Sequence, residues 1–169
     1  MVMVNGKKRR NIILLGCAIS IVLLSVAIGA KLLIGHRATP PLPKQLISQA
    51  SFPIYYPSKL PEGYVLKTGS VGGDSSAVYY TLTNGTDKSA ITVTLQATPS
   101  KFDASQIIGK NPIPTTITPV GTLYNLSTGG SSKYMLSTGR TLLFITSPTT
   151  IEGKSITTIT NSLTDIKSK

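Results

Sequence analysis

The sequence contains no tryptophan, one cysteine and one histidine. Cys17 has no partner for an internal disulfide, and a Cys/His metal centre is excluded by count. His36 lies just past an apolar segment, where it serves as a polar flank, which leaves no histidine for a Ser-His-Asp constellation. Gly-x-Ser-x-Gly and Ser-x-x-Lys are also missing, which removes the common serine-nucleophile signatures. Acidic residues are scarce, with 6 Asp and Glu against 17 Lys and Arg, a net charge of +11. That surplus would suit a nucleic-acid partner only if it were clustered on one surface. It is not. Residues 1–39 carry Lys7, Lys8, Arg9, Arg10, Lys31 and Arg37 with no acidic residue, and the rest of the basic side chains are scattered singly. The concentrated part flanks a hydrophobic segment, where it sets membrane topology. No nucleic-acid partner is expected.

One long apolar run is present. Residues 12–30 are rich in Ile, Leu, Val and Ala and hold no charge. As a helix they would span roughly 28 Å, close to a bilayer hydrocarbon core. Lys31 can snorkel from the end of such a helix, so that Leu32, Leu33 and Ile34 reach the far interface. The expectation is a transmembrane helix over residues 12–34 with the lipid bilayer as its partner. Four basic residues hold the short tail, residues 1–11, in the cytoplasm and send the remainder outside. A signal peptide cleaved after Ala27 is the competing reading, since Ser25-Val26-Ala27 is a small-x-small site. Apolar residues continue to Ile34, however, where a cleavage region turns polar. Leu14-Leu15-Gly16-Cys17 resembles a lipobox, but it sits too close to the basic cluster for an intervening apolar region.

Residues 35–45 contain Pro40, Pro41 and Pro43 and read as a semi-rigid, polyproline-like linker. The composition then shifts to Ser, Thr, Gly and Tyr with sparse charge, so residues 46–169 are expected to form an extracytoplasmic β-rich domain. Period-two alternation predicts a weak strand over 65–71 and clear ones over 77–83 and 88–96, joined at Asn84-Gly85. Residues 71–76 read as a flexible turn. A meander follows over 121–127, 133–137 and 140–147. Leu-Ser-Thr-Gly occurs at 126–129 and again at 136–139, as two turns with glycine supplying positive φ. A short helical turn is predicted over 100–108, and residues 111–119, with three prolines, read as a loop. Ile156, Ile159, Leu163 and Ile166 make an apolar stripe at helical spacing. The predicted fold class is α+β: an N-terminal transmembrane helix, then a mostly antiparallel sheet covered by a C-terminal helix.

Aromatic residues gather at Phe52, Tyr55, Tyr56 and Tyr64, interleaved with Pro53, Pro57 and Pro61. Such a strip either wraps the core or binds glycan or peptide, which makes Tyr55, Tyr56 and Tyr64 the candidate binding surface. Residues 56–64, Tyr-Pro-Ser-Lys-Leu-Pro-Glu-Gly-Tyr, resemble the opening of a bacterial membrane-anchored domain family of unknown function, with its Y-P-x-x-L-P-x-G-Y segment. The resemblance implies a β-rich middle, a C-terminal helix ending near Ser162-Leu163 and a preceding membrane helix. It supplies no catalytic residues. Glu62, Asp74, Asp87, Asp103, Glu152 and Asp165 are far apart in sequence, so a carboxylate site would have to be assembled by the fold. No catalytic residue, cofactor or metal is expected. The leading expectation is a cell-membrane, single-pass module that binds a protein or polymer of the cell envelope. The alternatives are a hydrolase with two carboxylates in one concave pocket, or a structural subunit of an envelope machine.

Overall fold

The chain divides into two compact units, Met1–Thr39 and Pro40–Lys169. The computed structural model describes residues 41–85, 89–108, 113 and 115–167, all within the second unit. The expected tail and membrane helix, residues 1–34, lie outside the described residues. Among the described residues no helix is long and apolar enough to cross a membrane.

In chain order the elements are α1 (Lys44–Gln49), β1 (Tyr55–Pro57), β2 (Val65–Leu66), β3 (Gly72–Gly73), β4 (Ala77–Thr83) and β5 (Ile91–Ala97). They continue with α2 (Ser105–Ile108), β6 (Thr115–Thr118), β7 (Gly121–Asn125), β8 (Ser132–Ser137), β9 (Thr141–Ser147), α3 (Gly153–Asn161) and β10 (Leu163–Asp165). Eight strands form one antiparallel sheet in the order β2-β4-β5-β9-β8-β7-β6, with β3 also paired to β4. The class is α+β, a mainly antiparallel sheet with a C-terminal helix.

Alternation along the strands builds the core. Val78 of β4 sits opposite Leu95 of β5, and the row continues through Leu143 of β9 and Leu136 of β8 to Leu123 of β7. A parallel row runs from Tyr80 through Val93 and Ile145 to Tyr134. Leu46 of α1, Ile156 and Ile159 of α3, and Phe52 and Ile54 join the same apolar cluster. Burial of each of these aliphatic side chains stabilises the fold by about 1.5–3 kcal/mol.

The last strand clasps the first. β10 pairs with β1, matching Tyr56 with Thr164. Ser58 N–H donates to the Ser162 carbonyl at 2.8 Å, and Ile166 N–H donates to the Ile54 carbonyl at 2.8 Å.

Chain order and sheet order part after β5, whose spatial neighbour is β9 while its successor, β6, lies at the far edge. The connection between them has to pass β9, β8 and β7. On the sheet face away from the main cluster, Met135 and Leu142 are fully buried, and the connection carries half-buried Phe102, Ile108 and Ile113. Both facts point to a crossing on that outer face.

Several expectations need correction. Of the single strand predicted over 65–71 only Val65–Leu66 is strand, because a turn at Gly69, with φ +72°, separates β2 from β3 at Gly72–Gly73. The flexible turn predicted over 71–76 contains β3 and an ordered reversal. There Asp74 Oδ1 accepts from Ser76 N–H at 2.7 Å and Ala77 N–H at 3.1 Å. At Gly72 a methyl group would meet the end of the exposed Tyr79 side chain, which would have to swing aside. Residues 111–119 are not all loop: β-branched Thr115–Thr118 forms edge strand β6 between Pro114 and Pro119. An edge strand has one ladder only, so flanking prolines are tolerated. The stripe ending at Ile166 is not one helix. α3 stops at Asn161, where Thr157, Thr158 and Thr160 weaken helix propensity and Ser162 Oγ donates to the Lys59 carbonyl at 2.8 Å. Leu163 is still buried, but from strand β10. The folded body also begins before residue 46, since Leu42 is buried and α1 starts at Lys44. The two Leu-Ser-Thr-Gly turns do place glycine at positive φ, with Gly129 at +60° and Gly139 at +84°.

Candidate functional site

The three tyrosines singled out in the sequence do not form one exposed patch. Consecutive residues on β1 point to opposite sides, so Tyr56 is buried and Tyr55 only half-buried. The Tyr56 ring lies 5.1 Å from that of Tyr80 at 44°, a tilted aromatic pair. Burial raises the Tyr56 pKa, and burial followed by the nearby Tyr56 raises that of Tyr80 well above its ordinary value. Tyr80 Oη donates to the Tyr55 carbonyl at 3.3 Å, which ties β1 to β4. Tyr55 and Tyr64 are half-buried against the core. The aromatic strip therefore wraps the core for most of its length, and only Tyr64 opens onto a concavity.

That concavity is the candidate site. It is a cleft of about 320 Å³. One wall is Pro61, Glu62 and Tyr64; another is Asn84 and Ser89 of the β4–β5 connection; the floor is Ser147, residues 149–152, Lys154, Ser155 and Thr158. Each wall has a local cause. Tyr64 N–H donates to the Pro61 carbonyl at 3.0 Å, closing a turn in which Gly63 takes φ +76°. An L side chain is strained there, so glycine is what lets Glu62 stand at the tip. Buried Ile151 N–H donates to Ser132 Oγ at 2.7 Å, fixing the chain before α3. Glu152 is the N-cap of α3, with extended dihedrals and no side-chain capping bond.

Glu62 and Glu152 thus share one concave pocket. Both are exposed. Lys154 and seven hydroxyl or amide side chains complete the polar lining. A wider, shallower groove of about 490 Å³ adjoins it, with Lys59, Thr157, Asn161 and Ser162 beyond the shared Lys154 and Thr158.

The remaining carboxylates serve local structure. Asp74 is held below the usual carboxylate range by hydrogen bonds, first from the Ser76 hydroxyl and then from backbone N–H groups. Asp103 is lowered in the same way by Ser105, at the start of α2. Asp165 accepts from Lys167 N–H at 2.9 Å. Asp87 lies outside the described residues. Among the described residues no group of three His, Cys, Asp or Glu side chains could hold a metal.

Sequence reasoning did not find the cleft. Its two carboxylates belong to distant segments, and neither sits in a motif that announces a site. The only local signals were the Pro61-Glu62-Gly63 turn and the position of Glu152 at a helix start. Comparison with known proteins finds no matching family model, no matching curated protein and no matching solved structure.

Proposed function

We propose that the chain is a non-enzymatic, single-pass membrane-anchored module of a bacterial cell envelope. Residues 12–34 cross the bilayer, residues 1–11 face the cytoplasm, and the β-rich domain outside binds an envelope protein or polymer. The uncharged apolar run behind four basic residues supports the anchor. The 56–64 segment supports kinship with membrane-anchored domains of that opening type. The observation that carries the binding role is the Glu62–Glu152 cleft, lined mostly by polar and charged residues.

A second reading is favoured by the same cleft. Two carboxylates in one pocket are the minimum for acid–base hydrolysis. A general acid working near neutral pH is usually buried among apolar side chains. Glu62 and Glu152 are both exposed, so binding is the better reading.

The test has two parts. The full chain is reconstituted in vesicles and treated with protease from outside; the domain should be digested or released while the N-terminal tail survives. Binding to isolated cell envelopes is then measured by co-sedimentation, with Glu62→Gln and Glu152→Gln expected to reduce it. An accessible tail with a protected domain would reverse the topology, and envelope binding indifferent to both substitutions would remove the cleft from the function. Hydrolysis products lost in either variant would favour the enzyme.

A further inference from the structure

We infer that the ligand of the Glu62–Glu152 cleft is a neutral, polyhydroxylated chain: a glycan. The inference rests on the envelope-binding reading and names the polymer.

Glu62 and Glu152 offer only acceptor oxygens when ionised. Two of the lining hydroxyls already spend their protons on the protein. Thr150 Oγ1 donates to the Gly130 carbonyl at 3.3 Å, and Thr158 Oγ1 donates to the Lys154 carbonyl at 2.8 Å. What these hydroxyls present to a ligand is therefore oxygen lone pairs. The lining thus sets acceptors, the two carboxylates and these hydroxyls, beside donors such as the Lys154 ammonium and the Asn84 amide. A sugar hydroxyl both donates and accepts, and adjacent ones can be accepted as a pair by one carboxylate.

Other ligand classes fit worse. Phosphates and sulfates are anions, and two carboxylates against one lysine give the lining an unfavourable charge for them. An apolar ligand or a peptide anchored by aliphatic side chains needs a greasy wall, yet Ile151 is buried and Pro61 is buried. Tyr64 fits the sugar reading. Its ring is half-buried against the core, which fixes it, and it lines the cleft, where an aromatic surface suits the apolar face of a pyranose. The volume of about 320 Å³ stands at the small end of ligand clefts, which suits a short stretch of a longer chain.

The test is isothermal titration of the full chain, held in a detergent without sugar head groups. The probes are chitotetraose, cellotetraose and maltotetraose, with tetralysine and inorganic phosphate as competing chemistries. At least one neutral oligosaccharide should bind saturably, with an affinity that changes little with added salt, because no ligand charge is screened. Glu62→Gln and Glu152→Gln should each weaken it about tenfold, the loss expected of a hydrogen bond to a charged group. Tyr64→Phe should retain binding and Tyr64→Ala should lose it, with circular dichroism confirming that the fold survives; if Tyr64→Ala unfolds, the two glutamate variants decide alone. Thr157→Ala, in the adjoining groove only, should leave binding unchanged.

Saturable binding of tetralysine with steep salt dependence, and none of the neutral sugars, would overturn the inference in favour of a cationic peptide. Phosphate binding would overturn it in favour of an anion. If no sugar binds while co-sedimentation with envelopes still falls in the Glu62→Gln variant, the glycan inference fails and the envelope-binding reading stands. If no sugar binds and co-sedimentation is the same in the parent and in both glutamate variants, both fail.

Discussion

The two faces of the sheet obey the same alternation and reach different ends. On the inner face, Val78, Leu95, Leu143 and Leu136 stand in one cross-strand row, each fully buried. On the outer face, the corresponding row near β4 is Thr81, Thr92 and Thr146, all half-buried, with the Thr81 and Thr92 hydroxyls 3.2 Å apart. Farther along, the outer face stops being a polar surface. Leu142 and Met135 are as buried as anything inside. A sheet face is therefore not polar or apolar as a whole. Its character follows what the chain lays across it, strand by strand.

Leu143 carries the largest expected effect. Leu143→Ala should destabilise the domain by about 2–5 kcal/mol, read as a lower midpoint in a urea melt of the full chain in detergent. An unmoved midpoint would mean that the inner row is not the core. Met135→Ala comes next, at about 2–4 kcal/mol, provided that the connection after β5 covers the outer face. A change within about 0.5 kcal/mol would instead mark Met135 as a surface residue.

Tyr80→Phe should cost less at neutral pH, about 1 kcal/mol, for the bond to the Tyr55 carbonyl. It should also change the pH profile. The folded-state pKa of Tyr80 is raised, so its stabilising contribution is complete below the unfolded value of about 10 and is lost as pH rises through the folded value. Melts above about pH 10 should therefore be flatter with pH in the phenylalanine variant than in the parent. Thr92→Val should have the smallest effect, within about 0.5 kcal/mol, because the outer face near β4 remains half open.

The same contrast explains what could be read from the residues alone. The pattern AVYYTLT predicts β4 at its observed bounds, since alternation is a property of neighbours. The meander from β7 to β9 was equally legible, because short glycine turns join strands that pair in sequence order. The β5–β9 pairing was not, since no local signal states that a strand skips its successor. Edge strand β6 was hidden by Pro114 and Pro119, which punctuate it without forbidding it. The helical stripe ended early because Leu163 satisfies a strand pairing as well as a helix face, and the β1 partner lies far back in the chain. The cleft suffered most from distance: Glu62 and Glu152 meet only after α3 and the β1–β2 segment have been placed on the same rim.

The β1–β10 clasp has a consequence for biosynthesis. Tyr56 and Thr164, which pair and are bonded through Thr164 Oγ1 at 3.3 Å, stand 108 residues apart. A ribosome adding about 5–20 residues per second makes the second strand roughly 5–20 s after the first. Throughout that interval Phe52, Ile54 and Tyr56 lack their final cover. A copy terminated before Leu163 never acquires it, and keeps an unpaired strand edge beside an apolar surface. Such a copy is an easy substrate for proteases, so the position of β10 works as an inspection for length, passed only by chains translated beyond Asp165.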